Sequence, residues 1–182
     1  LTGVGATLTD STGVATFAAL SVDLAGSKTL TATTGTVTAT SGAFTVSPAA
    51  AASLTFSVPP SPVVAGVALA PAVKVVAKDA FGNPVPGTSI GLSLDGTGTL
   101  GGGAAVTTDS TGTATFTALS VDLVGAKTLT ATSGLLTATS SAFTVSAAAP
   151  ATLTFTSQPS TVVAGVAIAP AVKVRANDAF GN

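Results

Sequence analysis

A 99-residue internal repeat limits what this 182-residue chain can become. Ser11-Thr12-Gly13 returns as Ser110-Thr111-Gly112, and Phe44, Phe56 and Phe81 return as Phe143, Phe155 and Phe180, all at that one spacing. The register holds from Ser11 to Asn83 without insertion or deletion, and roughly three quarters of the positions are identical. Solenoid units are less than half this long, so each copy corresponds to a complete small domain in series. The period divides the chain into the C-terminal half of one repeat (1–47), a complete repeat (48–147) and the N-terminal part of the next (148–182). Half a sandwich cannot bury a core by itself. The chain is therefore expected to be a portion of a longer array, the alternative being that half-repeats of neighbouring chains complete one another. The Ala-rich joints Ser47 to Ala52 and Ser146 to Ala151 are short, which predicts an extended and rather stiff array.

Within a copy, strict alternation marks half-buried strands. Val73, Val75 and Ala77 alternate with Lys74, Val76 and Lys78, so the Val row faces a core. In the next copy Val172, Val174 and Ala176 repeat the row, and Arg175 replaces Val76 on the outward side. Further inward rows are Ile90, Leu92 and Leu94; Ala114, Phe116 and Ala118; Leu129 and Ala131; and Phe143 and Val145. Leu54 and Phe56 open the repeat, as Leu153 and Phe155 open the next. Pro59 and Pro60 suit an edge strand that bends or switches sheets. Turns fall at Asp79 to Asn83, Asp109 to Gly112 and Asp122 to Gly125, where Asp bonds its own backbone two residues on. No stretch carries helical periodicity, and Thr and Val favour strands. About seven short strands per repeat predict an all-β fold of tandem immunoglobulin-like β-sandwich domains.

Composition removes most chemistry. The chain has no Cys, Met, Trp, Tyr or His; its seven acids are all Asp, 7% of residues are charged and the net charge is −1. Disulfides and Ser-His-Asp catalysis are excluded, and zinc sites lack their usual ligands. No basic footprint for nucleic acid or anionic lipid exists. The longest apolar run, Val63 to Val73, contains Gly66 and Pro71 and is too short to span a membrane as a helix.

The segment Val73 to Gly87, with its Asp-x-x-Gly-Asn-Pro-Val-x-Gly core at Asp79 to Gly87, resembles the bacterial Ig-like domains of the invasin and intimin type. Thr108 to Phe116 and the Gly125-x-x-x-Leu129-Thr130-Ala131 pattern are similar to the same family. The resemblance implies secreted, cell-surface or filamentous proteins in which such domains act as spacers or adhesive modules. It implies no catalytic residues.

Asp79, Asp109 and Asp122 recur as Asp178, Asp10 and Asp23, with Asp95 in a further turn. None has a second acid nearby, which favours structural turns over a calcium site. The rows Thr29-x-Thr31-x-Thr33 and Thr128-x-Thr130-x-Thr132 resemble flat ice-binding arrays, but Thr is also a good outward strand residue. A Lys–Asn isopeptide bond would have to use Asn83, in a turn, with Lys74 facing outward; the five Lys read as solvated strand faces. Gly101-Gly102-Gly103 reads as a flexible loop, and Phe81 and Phe180 as turn residues that are exposed apolar candidates.

No catalytic, cofactor-binding or metal-binding residue is therefore assigned, no cofactor is implied, and the chain is not expected to be an enzyme. The expected role is a structural stalk or filament, extracellular or at the cell surface, whose partners are neighbouring repeats of the same chain and copies of itself. Low charge weakens repulsion between copies. The alternative is an adhesin or ligand-binding module for carbohydrate, ice or a host surface.

Overall fold

A computed structural model describes all 182 residues as strands and turns, with no helix. The N-terminal segment carries β1 (Gly26–Lys28), β2 (Thr31–Thr34), β3 (Val37–Thr40) and β4 (Phe44–Val46). The central repeat carries β5 (Ser53–Val58), β6 (Val63–Val64), β7 (Val73–Lys78), β8 (Ser89–Asp95), β9 (Leu100–Gly101) and β10 (Val106–Thr107). It continues with β11 (Thr113–Phe116), β12 (Ser120–Val121), β13 (Gly125–Ser133), β14 (Leu136–Thr139) and β15 (Phe143–Ser146). The last segment carries β16 (Thr152–Ser157) and β17 (Lys173–Asn177).

The central repeat is a β-sandwich. One sheet runs β10-β8-β13-β15-β6, with β14 also pairing with β13; the other runs β11-β7-β5. Strand β13 is long enough to serve two neighbours on one edge. Its first residues pair with β15 (Lys127 opposite Phe143) and its last with β14 (Ala131 opposite Ala138). Sheet switching at the prolines is observed. β5 pairs with β7 through a register shift between Phe56 and Val58 as far as Val58 opposite Lys74, and after Pro59-Pro60 the chain re-enters the opposite sheet as β6, parallel to β15.

The inward rows meet between the sheets. Val73, Val75, Ala77, Ile90, Ala114, Leu129 and Ala131 are fully buried, and Phe116, Phe143 and Val145 nearly so. The two-residue alternation of strands places these side chains on one face. One row breaks: Ala118 is exposed and Leu119 is buried instead. Strand β11 ends at Phe116, so period-two alternation no longer applies two residues later, and Leu119 reaches the core from the connection to β12.

The same residues behave differently in the flanking segments. Phe17, Phe44, Leu153, Phe155 and Val174 are exposed, although their counterparts Phe116, Phe143, Leu54, Phe56 and Val75 are buried or half-buried. Phe44, Leu153, Phe155 and Val174 lie on two-stranded sheets that no second sheet covers, and Phe17 lies in no strand.

Gly101-Gly102-Gly103 is a close-packed crossing, not a flexible loop. A Cβ on Gly102 would lie 2.2 Å from the Ala118 carbonyl oxygen, one on Gly103 2.7 Å from that of Leu92, and one on Gly101 2.8 Å from the Ser120 hydroxyl. At Gly102 and Gly103 backbone approaches backbone, and at Gly101 the neighbour is the Ser120 side chain.

Candidate functional site at the joint between repeats

A network of side-chain hydrogen bonds outside the core lies where one copy of the sequence repeat meets the next. Asp79 starts a closed loop: its Oδ1 accepts the amides of Phe81 (2.9 Å) and Asn83 (2.8 Å), and the Asp79 amide returns to the Asn83 carbonyl. Gly82 sits at φ 86°, in the left-handed region that lets the loop close. The second carboxylate oxygen accepts the Ala49 amide of the joint (3.0 Å) and the Asn83 side-chain Nδ2 (2.8 Å).

Asn83 then reaches across the joint. Its Nδ2 donates to the Asp23 carbonyl (2.7 Å) and its Oδ1 accepts the Ala25 amide (2.9 Å). The second joint repeats the pattern residue for residue. Asp178 accepts from Phe180, Asn182, Ala148 and the Asn182 Nδ2, while Asn182 donates to the Asp122 carbonyl (2.8 Å) and accepts the Val124 amide (3.0 Å). An amide side chain suits the task because it offers a donor and an acceptor in one plane to two backbone groups.

The electrostatics match the geometry. Burial raises the pKa of Asp178, but the donors from Asn182, Ala148 and Phe180 outweigh it and bring it down to about 2. Asp79 is lowered by the same balance, with burial opposing and Asn83, Ala49 and Phe81 prevailing. Both aspartates are therefore ionised over the physiological range.

The receiving stretch is braced from behind. Asp122 Oδ1 accepts the Thr99 amide at 2.7 Å, and that bond, working against desolvation, lowers the Asp122 pKa. Lys127 is buried, with its ammonium donating to Thr97 Oγ1 (2.9 Å) and the Val124 carbonyl (3.1 Å). This corrects the expectation that every lysine lies on a solvated strand face. Lys127 is the inward residue preceding Leu129 and Ala131, and its stem reaches the sheet end where loop oxygens receive the charge. Lys28 makes the equivalent bond to the Ala25 carbonyl (3.0 Å). Lys74 is exposed, as expected.

The remaining candidates are used locally. Asp109 and Asp10 each accept the amide and hydroxyl of the Thr two residues on, closing turns. Asp95 accepts the hydroxyl of Thr130 (2.6 Å), so this Thr row is not a uniform free array. No three acids converge as a metal site would need. Phe81 and Phe180 lie at the loop tips and are exposed. A hollow of about 730 Å³ is lined by Leu1, Val4, Phe17, Leu30 and Ala32, three of which match the buried Phe116, Leu129 and Ala131. It is an uncovered core face rather than a cleft with convergent polar groups.

Sequence reasoning placed Asp79, Asp109 and Asp10 in their turns, but Asp122 holds the Thr99 amide across from it instead of closing its own turn, and Asp95 ends strand β8; Asn83 and Asn182 as the bridging residues and Lys127 as a buried brace were missed. The available signal was the Asp-x-x-x-Asn pair recurring one period apart at both joints.

No family model matches the chain, and no curated protein matches it. Among solved structures, domains 4–9 of the surface layer protein SbsC resemble it with a TM-score of 0.42 and 22% identity. That likeness covers 87% of this chain, which spans 25% of the SbsC structure.

Proposed function

We propose that this protein is a structural extracellular repeat protein of immunoglobulin-like modules, forming a stalk or filament on or outside a bacterial cell. The observation that carries this reading is the recurrence of one clasp, Asp79–Asn83 on Asp23 and Ala25 and Asp178–Asn182 on Asp122 and Val124, at both joints. A joint built from directional hydrogen bonds fixes the angle between modules, which serves reach and stiffness. The sequence resemblance of Asp79 to Gly87 to bacterial Ig-like domains supports a place outside the cell. The carboxylates of Asp79 and Asp178 are engaged by backbone amides and by the asparagine side chains of the clasp, which supports a mechanical role for them. Electron microscopy of the native protein at neutral pH tests the proposal. Straight rods or ordered fibres with a uniform axial repeat are expected. Isolated globular particles, or beads joined at random angles, would overturn it.

A further inference from the structure

The Asp178–Asn182 loop does more than bond to the 122–124 stretch. Its Phe180 ring rests on Gly66 of the central repeat: a Cβ on Gly66 would lie 2.3 Å from Phe180 Cζ and 2.6 Å from Cε2. Gly66 has φ 75° and is anchored by its amide to the Val121 carbonyl (2.9 Å), and Leu69 by its amide to that of Leu119 (2.8 Å). The Gly66–Leu69 turn is thus tied to the strand that leads directly into Asp122 and Val124. One receiving surface therefore has two parts: polar backbone for Asn182, and a bare glycine for Phe180.

Phe81 occupies the identical loop position, and its loop holds Asp23 and Ala25 by the same bonds. Phe81 touches neither Gly66, which holds Phe180, nor its counterpart Gly165, which has φ 84° and nothing within 4 Å of an added Cβ, and its exposure is 57%, against 43% for Phe180. We infer that the Asp-Ala-Phe-Gly-Asn loop is a plug whose phenylalanine seats on a glycine reserved for it in the preceding repeat, and that the exposed Phe81 fits the Gly66–Leu69 turn of a further identical repeat. The occupant is the glycine turn of an identical repeat, because Phe180 already makes that contact with Gly66. A side chain on the glycine would meet the ring, and any L-residue there would also be strained by its positive φ. This inference rests on the stalk or filament reading, of which it names the coupling contact.

The test labels the phenylalanines of the full chain with fluorine and assigns the Phe180 and Phe81 resonances by Phe180→Leu and Phe81→Leu. Gly66→Ala is expected to move the Phe180 resonance and leave that of Phe81 in place. Extending the chain upstream of Leu1 by a copy of residues 48–99 is expected to move the Phe81 resonance towards that of Phe180. An unmoved Phe180 in Gly66→Ala, or an unmoved Phe81 in the extended chain, overturns the plug. Should Gly66→Ala disturb the central fold, Phe180→Ala leaves that repeat untouched. It is expected to speed amide exchange at Val124 about tenfold while Leu129 keeps its protection, and an unchanged Val124 rate overturns the anchor role. These readouts are local. Rods absent by microscopy with the resonances moving as expected would sink the stalk reading and leave the plug standing.

Discussion

Asn182 Nδ2 lies 2.8 Å from Asp178 Oδ2, and the pair one period earlier, Asn83 and Asp79, holds the same 2.8 Å. Each asparagine is thereby oriented by its own loop before it reaches the other repeat. Asn83→Ala is expected to leave the Asp23 carbonyl and Ala25 amide without partners at a partly buried joint, at a cost of about 1–3 kcal/mol in joint opening. Amide exchange at Ala25 should rise while that of Leu129 stays put. Equal rates in both proteins would show that the bond carries no coupling.

Acid should unlock the joint. Asp178 titrates at about 2 in the folded chain, against an ordinary value of 3.8. A group with a depressed folded pKa stabilises above its unfolded value, and that contribution is lost as pH falls through the folded one. The joint is therefore expected to be intact from neutral pH to about 4 and to open between about 4 and 2. Val124 amide exchange followed against pH checks this. In Asp178→Asn the Asp178 share of that acid step should disappear, whereas Asp122, which braces the same stretch, and the turns closed by Asp10 and Asp109, all lowered, keep their own acid response.

Lys127 is buried to 3% exposure with no carboxylate on its ammonium. Lys127→Ala should cost about 2 kcal/mol through lost stem packing and two lost hydrogen bonds. Lys127→Met should recover the packing share. Urea midpoints of the three proteins give the measurement, and equal losses in both variants would place the whole effect in the charge.

The repeat supplies its own control for core packing. Phe116→Ala should destabilise by about 3–5 kcal/mol, since the ring is 2% exposed between the sheets. Phe17→Ala removes the same residue from the same sequence context at 45% exposure and should change stability by less than about 0.5 kcal/mol. Thermal denaturation of the two variants distinguishes them, and similar shifts would mean that Phe17 is covered in solution.

Gly102→Ala should be far more harmful than Gly82→Ala. Both glycines have positive φ, but an added methyl at Gly82 meets nothing within 4 Å, while at Gly102 it meets the Ala118 carbonyl oxygen. Gly82→Ala is expected to cost about 1–2 kcal/mol from its backbone conformation, and Gly102→Ala to prevent normal pairing of β9 with β12. Circular dichroism melts read both.

The sequence by itself determined the period, the turns and the face of nearly every strand. Asp79 and Asp109 bond residues two positions on, and Val73, Val75 and Ala77 alternate, because these features depend only on neighbours along the chain. The exception, Leu119 in place of Ala118, lies just beyond a strand end, where the local rule lapses. The tertiary structure decided the rest. Phe17 and Phe116 share a local sequence and differ in burial because only Phe116 sits on a strand, with its ring packed between two sheets. Asn83 bonds Asp23 across 60 positions, and Phe180 finds Gly66 across more than a hundred. Such contacts depend on where whole sheets come to rest, and alternation within a strand carries no information about that distance.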